Sequence, residues 1–209
     1  MRWLIALVVL SLALAPLAGQ TEEKQEPEKQ MKVRFEARKP FSVMGLEAEN
    51  AMEGNAMAEI WDKFYSLMGE IKEPVGNCCY GIHFTGEDYD PKTQKGYKYF
   101  VGMEVKESEK LPEMFMLHNV PGGDYAVFDY VGNIKGIGSA YGYIFGEWLA
   151  SSGLTPAKGD MFEAYDERFA ADSDESVVEI WIPVQKHELK AASDDAPLKE
   201  NNLKQKNSE

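Results

Sequence analysis

Glu179 stands in the run 176–184, Ser-Val-Val-Glu-Ile-Trp-Ile-Pro-Val, whose β-branched and aromatic residues predict a strand. Side chains alternate along a strand. Val178, Ile180, Ile182 and Val184 therefore share one face, and Val177, Glu179, Trp181 and Pro183 the other. A carboxylate in such apolar company needs a partner or water, because an unpaired buried charge is costly. Two readings follow. Glu179 is an edge-strand residue facing solvent, or it is a carboxylate on the floor of an aromatic pocket that takes a cationic or polar ligand.

Other reactive residue types are sparse. The histidines are His83, His118 and His187. None lies beside a Ser or Cys nucleophile motif, and His83 and His118 read as structural groups on separate strands. Cys78 and Cys79 are adjacent, and the ring they would close is strained, so they read as small buried residues rather than as a disulfide. Residues 132–138 are glycine-rich but lack the spacing of a phosphate loop or a dinucleotide fingerprint; they read as a turn into a helix. No metal and no cofactor is expected. With 22 basic and 35 acidic residues the formal charge is −13. Such a chain is repelled by nucleic acid and by anionic membranes, and favours cations or neutral ligands.

The elements that must position these residues fall into a repeating order. Residues 1–19 read as a signal peptide: Arg2, then an apolar run 4–14, then small residues up to Gly19. The expected location is periplasmic or extracellular, with membrane contact only if this segment stays uncleaved. Residues 20–31 form a polar linker, 32–185 a folded domain, and 186–209 a charged tail, with a short helix at its start. Within the domain, 33–46 reads as one long or bent strand around Pro40. A helix capped by Asn55 follows, with Met57, Ile60, Trp61, Phe64, Leu67, Met68 and Ile71 at helical spacing. Strands at 79–84 and 97–105 complete the first half. The second half repeats the order: a strand broken by Pro121-Gly-Gly123, a helix over 134–151, and strands at 161–168 and 176–184. Gly138, Gly142 and Gly146 lie four apart on the second helix, which predicts close packing against a sheet. The fold class is α+β: a duplicated strand-helix-strand-strand module, forming an antiparallel sheet with two helices on one face and a ligand groove on the other. On this reading Glu179 and Trp181 line the open face while Ile180 and Ile182 meet the helices.

In this order and spacing the chain resembles the gyrase-inhibitor-like (GyrI-like) small-molecule-binding domain, also called the AraC-type effector-binding domain. The resemblance runs from about 32 to 185. It is carried by Ile60-Trp-Asp-Lys-Phe64, Tyr80-Gly-Ile82, Tyr99-Phe-Val-Gly-Met-Glu-Val105, Val120-Pro-Gly-Gly-Asp-Tyr-Ala-Val-Phe128, Ile144-Phe-Gly-Glu-Trp-Leu149, Phe162-Glu-Ala-Tyr-Asp-Glu-Arg-Phe169 and Val178-Glu-Ile-Trp-Ile-Pro-Val184. It implies a groove between the two halves, and it places the family's buried glutamate at Glu179. It also implies amphipathic, often cationic or aromatic, small-molecule ligands. Aromatic faces attract cations and planar rings, which makes Trp61, Tyr80, Tyr130 and Trp181 the candidate walls; each is also readable as core. The expected function is an exported, stand-alone binder of such ligands. The alternatives are a hydrolase of reactive electrophilic small molecules using Glu179, and an acidic inhibitor of a macromolecular partner.

Overall fold

The computed structural model describes residues 31–106 and 110–186. The expected leader, most of the linker, and the tail with His187 and its short helix lie outside the described residues. Strands β1 (Lys32–Arg38) and β2 (Phe41–Ala48) are parted by Lys39 and Pro40. Proline has no N–H for a ladder, so the chain turns there. The single bent strand expected over 33–46 is thus two strands, and they join opposite ends of the sheet. β1 pairs with β6 (Gly123–Val131), whereas β2 pairs with β4 (Tyr97–Val105) and β5 (Met116–Val120). The Pro121-Gly122 link separates β5 from β6 in the same way. The two links pack together: a Cβ on Gly122 would come 2.7 Å from Pro40 Cδ.

The remaining strands are β3 (Pro74–Thr85), β7 (Leu154–Pro156), β8 (Met161–Tyr165) and β9 (Val177–Lys186). The sheet is antiparallel, in the order β1-β6-β9-β8-β3-β4-β2-β5, with β7 added to β9. Its centre is the β3–β8 ladder of five residue pairs, whose middle pair is Gly81 opposite Glu163. Each half runs outward from that ladder in the same order, and each ends on a strand lent by the other half. The duplicated α+β architecture is as the sequence predicts.

Helix α1 (Ala56–Leu67) continues as a 3₁₀ turn, Met68–Glu70. Asn55 occupies its N-cap position, but its side chain makes no capping bond, contrary to expectation. The second helix is composite. A 3₁₀ turn (Ile134–Gly136) leads into α2 (Ile137–Tyr143), a five-residue π segment (Ile144–Trp148) and α3 (Leu149–Ser152). Gly153 ends it at φ 71°, the left-handed cap anticipated for it. Asn133 is the residue that caps here, accepting from the Lys135 amide at 3.1 Å. Both helices cover one face, where Ile60, Phe64, Ala140 and Ile144 meet Val178, Ile180, Ile182 and Val184.

Two expectations are corrected. A Cβ added to Gly138, Gly142 or Gly146 would meet nothing within 4 Å, so these glycines face open space and do not allow close packing. The face away from the helices is not open either. Phe41, Tyr80, Phe100, Tyr125, Phe162 and Trp181 fill it, and Trp181 is 4% exposed. The sheet curls until its ends meet its middle: Arg38 on β1 reaches Glu104 on β4 at 2.8 Å, and His118 on β5 reaches Asp160, just before β8, at 2.8 Å. A depression of about 350 Å³ lies on that side, lined by Arg38, Phe41, Glu104 and Trp181 among others. Runs such as Ala126-Val-Phe128, apolar without alternation, are what a sheet buried on both faces requires.

Candidate functional site

The face of each strand follows from register. Glu163 is paired with Ile180 and with Gly81, which puts its side chain on the helix side of the sheet. It is 4% exposed. Gly81 is the reason it fits: a Cβ there would come 2.1 Å from Tyr99 Oη and 2.7 Å from Glu163 Oε2. Around the carboxylate the chain assembles donors from three strands and a helix. Tyr141 of α2 donates to Oε1 at 2.8 Å. Tyr99 of β4 and Tyr165 of β8 donate to Oε2 at 2.9 and 3.2 Å. His83 of β3 holds Oε1 through Nε2 at 3.1 Å, and its Nδ1 meets Tyr97 Oη at 3.0 Å. Trp61 of α1 donates Nε1–H to Tyr99 Oη at 2.9 Å, and its ring stands edge-on to Tyr165 with centroids 4.9 Å apart. Phe145 lies parallel to Tyr141, 6.3 Å away.

Burial works to push the Glu163 carboxyl up. The charge and hydrogen bond of His83, with the phenol donors of Tyr141 and Tyr99, outweigh it and hold the acid below the usual carboxylate range. Burial, and then the nearby carboxylate, push the phenols of Tyr99, Tyr141 and Tyr165 well above their ordinary value. The site is therefore an ionised carboxylate held by protonated phenols, walled by aromatic rings, beneath two helices.

Glu179 has a different environment. Its side chain is 15% exposed; Arg34 and Arg168 each reach Oε1 at 2.8 Å, and Trp181 Nε1 donates to Oε2 at 3.0 Å. Its charge is already matched by two guanidinium groups, so it does not wait for a ligand, as the pocket-floor reading required. The enclosed carboxylate is Glu163, on the penultimate long strand. The candidate walls divide between the faces. Trp61 and Tyr130 lie on the helix side, Tyr80 and Trp181 on the other. Tyr130 is occupied, donating to the Asn133 carbonyl at 2.6 Å, and Tyr80 lies against Arg38 and Glu104. Of the five residues singled out, Trp61 joins the Glu163 cluster. Its other members, His83 included, carry one signal in the sequence: Met161-Phe-Glu-Ala-Tyr165 alternates, so its carboxylate shares a face with Met161 and Tyr165. Cys78 and Cys79 are both free and fall to opposite sides of β3, and burial pushes each thiol up to about 11.

The curled antiparallel sheet thus carries two helices over a phenol-held carboxylate. Residues 31–185 match the GyrI-like small molecule binding domain, and the chain belongs to that family. A transcriptional regulator, BrlR of Pseudomonas aeruginosa, is 32% identical over 158 residues, covering 74% of this chain and 56% of the regulator; the chain spans about half the length of that relative. Among solved structures, SAV2435 bound to tetraphenylphosphonium superposes with a TM-score of 0.61 at 17% identity, covering 74% of this chain and 94% of that one. The EcmrR C-terminal domain gives 0.58 at 12% identity, covering 76% and 99%. At those identities the two structures speak for the fold.

Proposed function

We propose that this domain binds lipophilic organic cations between α1 and α2, with Glu163 as the counter-charge. One observation carries the reading. Glu179 is neutralised by two arginines, whereas the hydrogen-bond partners of Glu163 are phenols and an imidazole. Its negative charge is buried, stabilised by dipoles, and short of a permanent cation. A desolvated carboxylate walled by aromatic rings attracts a cation that is itself weakly hydrated. Trp61 of α1 and Tyr141 of α2 are the partly buried members of the cluster on the two helices, and they move aside for the ligand. The tetraphenylphosphonium held by a protein of like fold makes that cation a suitable probe. The excess of acidic residues suits a cationic ligand. The apolar run 4–14 after Arg2 supports export, so that the domain works as a binder outside the cytoplasm.

Titration calorimetry and tryptophan fluorescence with tetraphenylphosphonium test the site. Wild-type protein should bind, and Glu163→Gln should weaken binding at least tenfold while Glu179→Gln does not. Equal binding by wild type and Glu163→Gln would sink the assignment of the site. Mass spectrometry of the N-terminus of protein isolated from its native host tests export; an intact Met1 would overturn it.

A further inference from the structure

Strand β1, Lys32-Val-Arg-Phe-Glu-Ala-Arg38, alternates throughout: charged side chains at the even positions, apolar ones at the odd. It lies at one end of the sheet. Along one side it pairs with β6, and along the other no described strand joins it. Such an edge offers unpaired backbone groups to another strand. The opposite edge is less free, because β5 curls back until His118 meets Asp160. β1 also leaves apolar side chains bare. Phe35 is 63% exposed and Val33 38%. Both lie on the helix side of the sheet, since Val33 is opposite Phe128 and Phe35 opposite Ala126, members of the helix-side core. Trp148 comes within 6.2 Å of the Phe35 ring, centroid to centroid, and leaves most of that ring uncovered.

We propose that a second copy of the chain occupies this edge, pairing β1 to β1 antiparallel in a twofold dimer centred on Phe35. Self-complementarity selects both the partner and the register. Centred on Arg34 or on Glu36, the pairing sets like charges directly opposite each other, which opposes association. Centred on Phe35, it sets each Arg34 opposite the partner's Glu36, and the two pairs close into a ring of alternating charge. On the other face Phe35 meets the partner's Phe35, with Val33 against the partner's Ala37 on either side, so the exposed apolar stripe is covered. Lys32 falls opposite the partner's Arg38, whose charge is already matched by Glu104 at 2.8 Å. The charges that repel a copy in the neighbouring registers therefore admit this one. The two sheets become continuous, with the helices of both copies on the same side. The pairing does not depend on the reading of Glu163.

Sedimentation equilibrium on protein carrying its native N-terminus tests the association. Wild type should be a dimer with a Kd of about 1–100 μM. Phe35→Glu should weaken it at least tenfold and leave the circular dichroism unchanged, since the ring it replaces is mostly in water. Disulfide trapping, with the linked peptides identified by mass spectrometry, reads the register. Phe35→Cys should link to its own copy, because directly opposite positions bring the two sulfurs within bonding reach. Val33→Cys should link to Ala37→Cys when the two variants are mixed, and neither should link to itself. A dimer that survives Phe35→Glu, or that traps none of these pairs, uses another surface and overturns the proposal. So does a wild type that stays monomeric over the whole range. Hydrogen exchange then tells what holds the edge instead: protected outward amides in β1 assign it to the chain's own terminal segments, and unprotected ones leave it bare.

Discussion

Glu163 and Glu179 show how little of a carboxylate's fate is written beside it. Each follows a hydrophobic residue on a strand and faces away from it, and each is largely withdrawn from water. One is met by Arg34 and Arg168, the other by Tyr99, Tyr141 and Tyr165. Those partners come from residues up to 145 positions away in the case of Arg34 and 64 in the case of Tyr99, so neighbouring sequence could not tell the two glutamates apart. Alternation did place Glu179 with Trp181 and opposite Ile180; what it could not show was that this face is filled. The lowered pKa of Glu163 has a consequence for acid stability. The folded carboxylate resists a proton that the unfolded chain takes up near the ordinary value of 4.5. Its contribution is therefore present above that value and is lost as pH falls through the lower folded one. Urea unfolding of Glu163→Gln between about pH 5 and pH 3 should lose less stability than wild type does over the same range. Parallel losses would deny the carboxylate that role. Gly81→Ala tests the space beside it. A methyl group 2.1 Å from Tyr99 Oη must displace the phenol, and overpacking with a broken hydrogen bond should cost about 3 kcal/mol in the same assay.

Elements were legible where local chemistry governs them. α1 follows from its apolar spacing, and the left-handed Gly153 stops the second helix where the sequence places it. Pairing was not legible, because Pro40 and Pro121 mark interruptions without saying which strand each flank joins. β1 ends at the far edge of the sheet, and there Glu179 clamps it. Removing that clamp by Glu179→Ala leaves Arg34 and Arg168 partly exposed, so the cost should be modest, about 1–2 kcal/mol. Hydrogen exchange should show protection lost first in β1, residues 32–38; uniform loss across the sheet would contradict the clamp. The second helix makes a separate prediction. Gly138 and Gly142 have open space where a Cβ would lie, so Gly138→Ala with Gly142→Ala should stabilise the fold by about 1–2 kcal/mol. If the loosely built helix lets Tyr141 swing away from Glu163, the stabilised variant should also admit tetraphenylphosphonium more slowly, which stopped-flow fluorescence measures.

For the whole molecule, the exchange of edge strands decides cooperativity. The first half of the chain supplies β1 to β6, and the second supplies β5 to β2. Neither half has a complete sheet alone, although each has its own helix. Cleavage between Lys106 and Lys110 should leave two fragments that remain associated and keep their circular dichroism. Expressed separately, each should be unfolded until mixed. A stable, monomeric fragment ending at Lys106 would refute this. The repeat of element order was visible in the sequence, but the lending of strands was not. It depends on where two short links cross, with Gly122 pressed against Pro40.

Gly81 and Glu163 form the middle rung of the central ladder. A twofold rotation through that rung exchanges the halves and carries one of these positions onto the other. Two identical half-length chains docked by that rotation would have to place the same residue at both. Two glutamates there would set like charges side by side in a dry interior, and two glycines would leave no charge there at all. A single enclosed charge is open only to a chain in which both copies are joined and free to diverge. Fusion of the halves therefore did more than fix their geometry. It let one copy contribute the carboxylate and the other give way to it, so that a doubled architecture encloses Glu163 once.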